Sequence, residues 1–229
     1  MARQQPLFLY EEIMLLALRD EQGTMAAGFP EQIIAGAVLA ELLLDGRIWV
    51  EDTKKQLVDV IDSSPTGDPI IDECLEKIAT SKRRAALKTW VTRLASTKDL
   101  RHKAARQLCE RKILRAEQDK VLFVFKRRIY PEIDPKPEKK IISRLRTAIF
   151  SDSARLDPRT VVLVSLANGS DLLRQTFGRK ELKPRKKRIE QIEAGDVTSK
   201  ATREVIAACQ TALIVAAIMP AMISTTVSS

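Results

Sequence analysis

Histidine is almost absent from this chain: His102 is the only one in 229 residues. That excludes a paired-histidine metal site and a two-histidine proton relay. Cysteine is scarce as well. Cys74, Cys109 and Cys209 are odd in number and far apart, so they offer no metal-ligand spacing and point to a reduced, cytosolic compartment. Aromatic residues make up only 4%. The core must therefore come from Leu, Ile, Val and Ala, and a base-stacking platform for single-stranded nucleic acid is disfavoured.

Other signatures are missing too. Pro65-Thr66-Gly67-Asp68 has one glycine and no following lysine, so it is not a phosphate loop. No Gly-x-Ser-x-Gly elbow occurs. An enzyme is not expected, and neither a cofactor nor a metal is implied. Helix-turn-helix, zinc-finger and RNA-binding aromatic motifs are not evident. The start, Met1-Ala2-Arg3-Gln4-Gln5-Pro6, lacks a signal-peptide apolar run, and Ala2 stands where myristoylation needs glycine.

What the chain does have is cationic charge. Lysine and arginine number 39 against 30 acidic residues, a net charge of +9. Such a surplus attracts anionic partners, whether nucleic acid or membrane. An apolar share of 45% is that of a globular protein. Charge concentrates between Lys98 and Arg128. A basic helix opens with Lys98, Arg101, His102, Lys103 and Arg106 and buries Leu100, Ala104, Leu108 and Cys109. Lys98 and Arg101, three apart, share a face. A hairpin follows, with one arm at Ile113-Leu114-Arg115, a polar turn at Ala116 to Lys120, and a second arm at Val121 to Phe125. Lys126-Arg127-Arg128 comes next. Cations on both sides of an apolar ribbon suit an anionic bilayer. The plainer alternative is a solvated basic helix beside an ordinary core hairpin.

The rest reads as one mostly helical domain over residues 1–229, with an ordered core from about 7 to 219. Glu11-Glu12 opens a helix apolar nearly all round, and Gly23 follows its end. Pro30 starts a second, with Gly36 inside and Gly46 at its close. Ile48-Trp49-Val50 is a short strand. Asp68-Pro69 caps a helix buried through Ile70, Ile71, Cys74, Leu75 and Ile78. Leu87, Trp90, Val91 and Leu94 repeat at helical spacing, which makes Trp90 a core residue. Beyond the stiff Pro131, Pro135 and Pro137, a helix buries Ile142, Leu145 and Ile149. Asp157-Pro158 caps the next helix, which Gly169 separates from Leu172, Leu173 and Phe177. Lys183 to Arg188 is a cationic run that reads as a solvated helix start, with nucleic-acid contact as the alternative. Val205 to Ile223 is interrupted by Gln210, Thr211 and Pro220. It reads as a buried central helix rather than a membrane span, followed by a fraying tail.

Taken in order, several of these pieces resemble the Golgi phosphoprotein 3 family. The likeness runs through Glu11-Glu12-Ile13-Met14-Leu15-Leu16-Ala17-Leu18 with Asp20 and Gly23. It continues in Gly36 with Leu39-Ala40-Glu41-Leu42 and Gly46-Arg47, in Pro65-Thr66-Gly67-Asp68 with Asp72-Glu73, and in Trp90. It then passes Leu108-Cys109-Glu110, Leu122-Phe123-Val124-Phe125 and Leu166-Ala167 with Ser170-Asp171. The resemblance implies an all-α fold, in which amphipathic helices surround a hydrophobic central bundle and one β-hairpin projects. It implies a compact, bacterial-type member that binds phosphatidylinositol 4-phosphate in a basic pocket beside the hairpin. Headgroup contact falls on Lys98 and Arg101, with Lys103 and Arg106 as auxiliary cations. Leu122, Phe123 and Val124 would insert into the membrane. The family's remaining pocket positions fall on Ala35 and near Ala26, where this chain has neither a cation nor a tryptophan. Implied partners are an anionic phospholipid membrane, further copies through the hairpin, and cytosolic tails of membrane proteins; nucleic acid is not among them. The implied location is the cytosolic face of a membrane, Golgi in a eukaryote and the cytoplasmic membrane in a bacterium.

Overall fold

The computed structural model describes residues 5–19, 23–25, 30–121, 125–153 and 155–196. The expected central helix at 205–223, the tail beyond it, and Leu122, Phe123 and Val124 lie outside the described residues, as do Ala26 and Phe29. In chain order, α1 (Leu9–Ala17) and α2 (Pro30–Leu44) flank a ladder of β1 (Leu18–Arg19) with β2 (Thr24–Met25). β3 (Ile48–Val50) pairs antiparallel with β4 (Val58–Val60). Three helices follow: α3 (Pro69–Ala79), α4 (Leu87–Ala95) and α5 (Leu100–Glu110). The hairpin β5 (Glu117–Val121) and β6 (Phe125–Ile129) precedes α6 (Lys136–Phe150), α7 (Pro158–Gly169) and α8 (Leu172–Leu182). A 3-10 turn at Lys183–Arg185 then enters α9 (Lys186–Glu193).

The layering follows from which helices have a polar side. α1 is buried at every residue, α2 from Ile33 to Leu43 and α7 from Thr160 to Ala167. A helix with no polar face has to be wrapped, and α3, α4, α5, α6, α8 and α9 wrap these three. Their stripes match the periodicity of the sequence: Ile70, Ile71, Cys74, Leu75 and Ile78 in α3, and Leu87, Trp90, Val91 and Leu94 in α4. Asp68 accepts from the N–H groups of Ile70 and Ile71 at 3.0 and 2.8 Å, and Asp157 from that of Thr160 at 2.9 Å. Both are the expected N-caps ahead of a first-turn proline. The chain is all-α, apart from three small ladders among the described residues.

Three local readings are corrected. In α6 the buried stripe is Ile141, Leu145, Ala148 and Ile149, while Ile142 is only half-buried. In α5 the stripe is Leu100, Ala104, Ala105 and Leu108, with Cys109 half-buried. The hairpin sits further along than its apolar pattern suggests. The polar segment from Glu117 is itself the first strand, and the cations of Lys126 to Arg128 lie in the second. Its register sets Gln118 opposite Arg128 and Asp119 opposite Arg127.

Burial of acidic side chains was not foreseen. Glu11, Glu12 and Glu41 are 0%, 4% and 1% exposed in α1 and α2. Each meets an arginine from another element: Glu11 with Arg111 at 2.7 Å, Glu12 with Arg144 at 2.7 Å, and Glu41 with Arg159 of α7 through both of its oxygens. Glu41 also accepts from the Leu9 N–H at 2.6 Å, and Arg159 donates to the Leu7 carbonyl at 2.7 Å. One carboxylate thereby joins α2, the start of α1 and the start of α7. Gly36, by contrast, faces Leu166 of α7 with room for a methyl group: an added Cβ would lie 3.9 Å from the leucine.

Two outcomes follow for denaturant unfolding. Glu41→Gln leaves Arg159 without its counter-charge and is expected to cost about 3 kcal/mol. Glu41→Gln with Arg159→Met is expected to cost less than the sum of the single changes, as a double-mutant cycle measures. Burial pushes the Glu11 carboxyl up to about 7 from the ordinary 4.5, against the pull of the Phe8 N–H and Arg111. A raised acid binds its proton more tightly when folded, so its contribution is full below pH 4.5 and is lost as pH rises to about 7. The stability advantage of the parent over Glu11→Gln is therefore expected to shrink across that window. An advantage that grows with pH would contradict this assignment.

Candidate functional site

The candidate site is built where α5 meets the base of the β5–β6 hairpin. The chain enters α5 through a tight reversal. Asp99 sits in the left-handed region at φ 58, which aspartate tolerates, and its carbonyl accepts from the Lys103 N–H at 2.8 Å. Lys98 lies in this reversal, exposed to solvent. Arg101 projects from the first turn of α5 and reaches Glu31 at the start of α2, Nε to Oε1 3.8 Å. Lys103 turns the other way. Its ammonium lies 2.5 Å from Glu73 of α3, and Lys77 meets the same carboxyl at 3.0 Å. Two lysines share that carboxylate and hold it below the usual range despite its partial burial. Of the expected auxiliary cations, then, Lys103 is neutralised within the fold, whereas Arg106 is exposed.

The hairpin base contributes what sequence reading missed. Ala116, Gln118, Arg128 and Tyr130 line one hollow of about 340 Å³ together with Glu117 and Arg106. The even numbering is physical: alternate residues of a strand share a face, and Gln118 pairs with Arg128 across the ladder. Tyr130 fixes the hairpin to the body. Its N–H donates to the Gly23 carbonyl at 2.9 Å. At Gly23 (φ 57) a Cβ would lie 2.4 Å from the backbone of Tyr130 and Pro131, so only glycine fits there. The Tyr130 hydroxyl is 2.9 Å from Nδ1 of His102. The one histidine is thus tied to the hairpin.

The electrostatics of this corner are one-sided. Burial first, then Arg101 and Arg128, hold the His102 imidazole below its ordinary value, opposed by Asp99 and Glu31. Burial raises the Tyr130 phenol, while Arg128, Arg106 and Arg101 pull it back. Three guanidiniums from two elements therefore act on the same buried tyrosine. Ala35, where the resemblance calls for a basic residue, is 0% exposed inside α2. It belongs to the core. No group of three or more His, Cys, Asp or Glu among the described residues could hold a metal ion. Nor is any described helix long and apolar enough to cross a membrane.

The cationic run at Lys183 to Arg188 has a local task. Arg185 donates to the Phe150 carbonyl at 2.7 Å, and Arg188 to Ala148 at 3.2 Å and Ser153 at 2.7 Å. These guanidiniums satisfy carbonyls at the C-terminal end of α6, where helical acceptors lack partners.

Comparison with known proteins agrees with this architecture. A curated relative, vacuolar protein sorting-associated protein 74 of Eremothecium gossypii, is 25% identical over 210 residues, covering 76% of this chain. The chain spans 62% of that relative's length. The family model for Golgi phosphoprotein 3 (GPP34) matches residues 9–209, from the first turn of α1 to beyond α9. By that match, this chain belongs to the Golgi phosphoprotein 3 family.

Proposed function

We propose that the protein attaches peripherally to the cytosolic face of a membrane by binding phosphatidylinositol 4-phosphate or a related anionic lipid. Lys98 and Arg101 contact the headgroup phosphate, and Arg106 adds attraction from one turn further along α5. Lys103 contributes little beyond the charge that Glu73 leaves over. Leu122, Phe123 and Val124 enter the boundary layer of the bilayer as the hairpin's apolar contact. In a eukaryote the membrane would be that of the Golgi, and in a bacterium the cytoplasmic membrane. The observation that supports this most is that Arg106 of α5 and Arg128 of β6 line one hollow with Tyr130 at the hairpin base, which sets cations beside the element proposed to touch lipid.

A charge-assisted phosphate contact contributes about 1.5–3 kcal/mol, whereas a lysine merely near anionic lipid contributes about 1 kcal/mol. One copy thus binds weakly, and self-association through the hairpin would add avidity. Cytosolic tails of membrane proteins are the partners such an anchored scaffold would gather. Nucleic acid is disfavoured as a partner of the Lys183 to Arg188 run, because Arg185 and Arg188 are engaged by backbone carbonyls.

Vesicle flotation separates these readings. The parent is expected to bind phosphatidylinositol 4-phosphate vesicles in preference to phosphatidylserine ones, and to leave neutral vesicles in solution. Lys98→Ala with Arg101→Ala is expected to weaken binding by at least about tenfold. Equal binding of parent and variant to every vesicle would remove the headgroup role of these two residues.

A further inference from the structure

We propose that the hollow beside β4 takes an extended, acidic peptide segment of a partner protein, which adds to β4 as a further strand. The proposal does not rest on the lipid reading, since none of its residues belongs to α5 or to the β5–β6 hairpin. The first observation is a strand edge left open. Ile61 donates to the Arg47 carbonyl at 2.8 Å, and Glu51 to that of Leu57 at 2.9 Å. Odd-numbered residues of this strand thus face β3, and Val58 and Val60 turn their backbone groups outward. Val58 donates outward to the Ala85 carbonyl at 3.0 Å, and Leu57 bridges Ala86. Continued in that register, the pairing would bring the Arg83 carbonyl to the Val60 N–H. Instead, the Arg83 carbonyl accepts from the Ser81 hydroxyl at 2.9 Å. The Val60 N–H meets no backbone acceptor among the described residues.

The second observation is an indole with the same need. Where the pairing stops there is a hollow of about 340 Å³, lined by Val58, Val60, Ile78, Arg83 and Trp90 among others. Trp90 is 3% exposed, and its buried indole N–H has no hydrogen-bond partner among the described residues. Arg93 lies over the ring, 4.9 Å from its centroid, which occupies a ring face and leaves the N–H unmet. Buried donors are nearly always satisfied. Here a backbone donor and an indole donor, on residues that line one hollow, both lack an acceptor. An extended peptide presents carbonyls along its edge and pairs with open strands in this way. Its alternate side chains would rest against Val60 and Ile78.

The third observation sets the sign of the occupant. Asp59 is the only acid in the lining, and Arg84 meets it together with Glu51. Arg83 in the lining, Lys82 next to it and Arg93 over the indole are exposed cations. The surroundings of the hollow are therefore positive, which favours an acidic segment and disfavours a basic one.

The chain's two tryptophans give two indole N–H signals by NMR, and Trp49→Phe identifies the one from Trp90. The probe is a blocked hexapeptide of alternating glutamate and valine. It is expected to move the Trp90 indole signal downfield and saturably. The same peptide with lysine for glutamate is expected to bind at least about tenfold more weakly, and a copy with methylated backbone amides to leave the signal unmoved. Val60→Pro removes an outward N–H, a change that strand edges tolerate, and is expected to abolish the response. Arg83→Glu, at an exposed position, is expected to weaken it about tenfold with the fold intact. A parent signal that does not move overturns the site, as does an equal response to the methylated copy or an unchanged response in Arg83→Glu. Lys98→Ala with Arg101→Ala is expected to keep the peptide response, and Arg83→Glu to keep vesicle binding, so each reading can fail without the other. Loss of the peptide response in Lys98→Ala/Arg101→Ala overturns the placement beside β4.

Discussion

Burying a carboxylate in the middle of an apolar bundle is costly unless a cation comes with it. This fold accepts that cost three times, at Glu11, Glu12 and Glu41, and recovers it by bringing Arg111, Arg144 and Arg159 in from the end of α5, from α6 and from α7. Apolar packing alone would let the outer helices slide or exchange places around α1 and α2, since one leucine surface resembles another. A buried ion pair does not slide. In this chain we read the three pairs as address labels that fix where α5, α6 and α7 dock, more than as a source of net stability. Tyr10 does the same for α3: its hydroxyl lies 2.6 Å from Asp68, which caps that helix.

That docking reaches the candidate site. Arg111, just past α5, fixes the far end of the basic helix against α1. Gly23 and Tyr130 fix the hairpin base from the other side, with the tyrosine hydroxyl returning to α5 through His102. The cations of the candidate site thus stand on backbone that the core holds in place. Lys103 shows the complementary case. It lies on the same helix, but its charge joins Lys77 at Glu73 and ties α5 to α3.

The sequence was informative wherever one periodicity dominated. The stripes of α3 and α4, the caps at Asp68 and Asp157 and the wide apolar faces of α1 and α2 follow directly from residue order. It misled where two signals competed. Val121 to Phe125 looks like a strand by composition, yet β5 ends at Val121 and β6 begins at Phe125. The first strand begins in the polar segment at Glu117, a register that no single periodicity announces. The same applies to the site. Lys98, Arg101 and Arg106 are visible as one helix's cations, but Arg128 and Tyr130 join them only through long-range docking. The alternation Arg128-x-Tyr130 was the one local hint. Residue order does not show the burial of Glu12 and Glu41, because their arginines lie more than a hundred residues away.

The clasp of Glu41 and Arg159 on the backbone around Leu7 and Leu9 has a consequence for the chain's early residues. Segments near a terminus ordinarily trade their amide hydrogens with solvent quickly, by fraying. The Leu9 amide points instead at a carboxylate sealed between α2 and α7. It should exchange for deuterium only when those helices part, as slowly as amides in the middle of the bundle. Position nine of this polypeptide is, in effect, a gauge of whole-body opening.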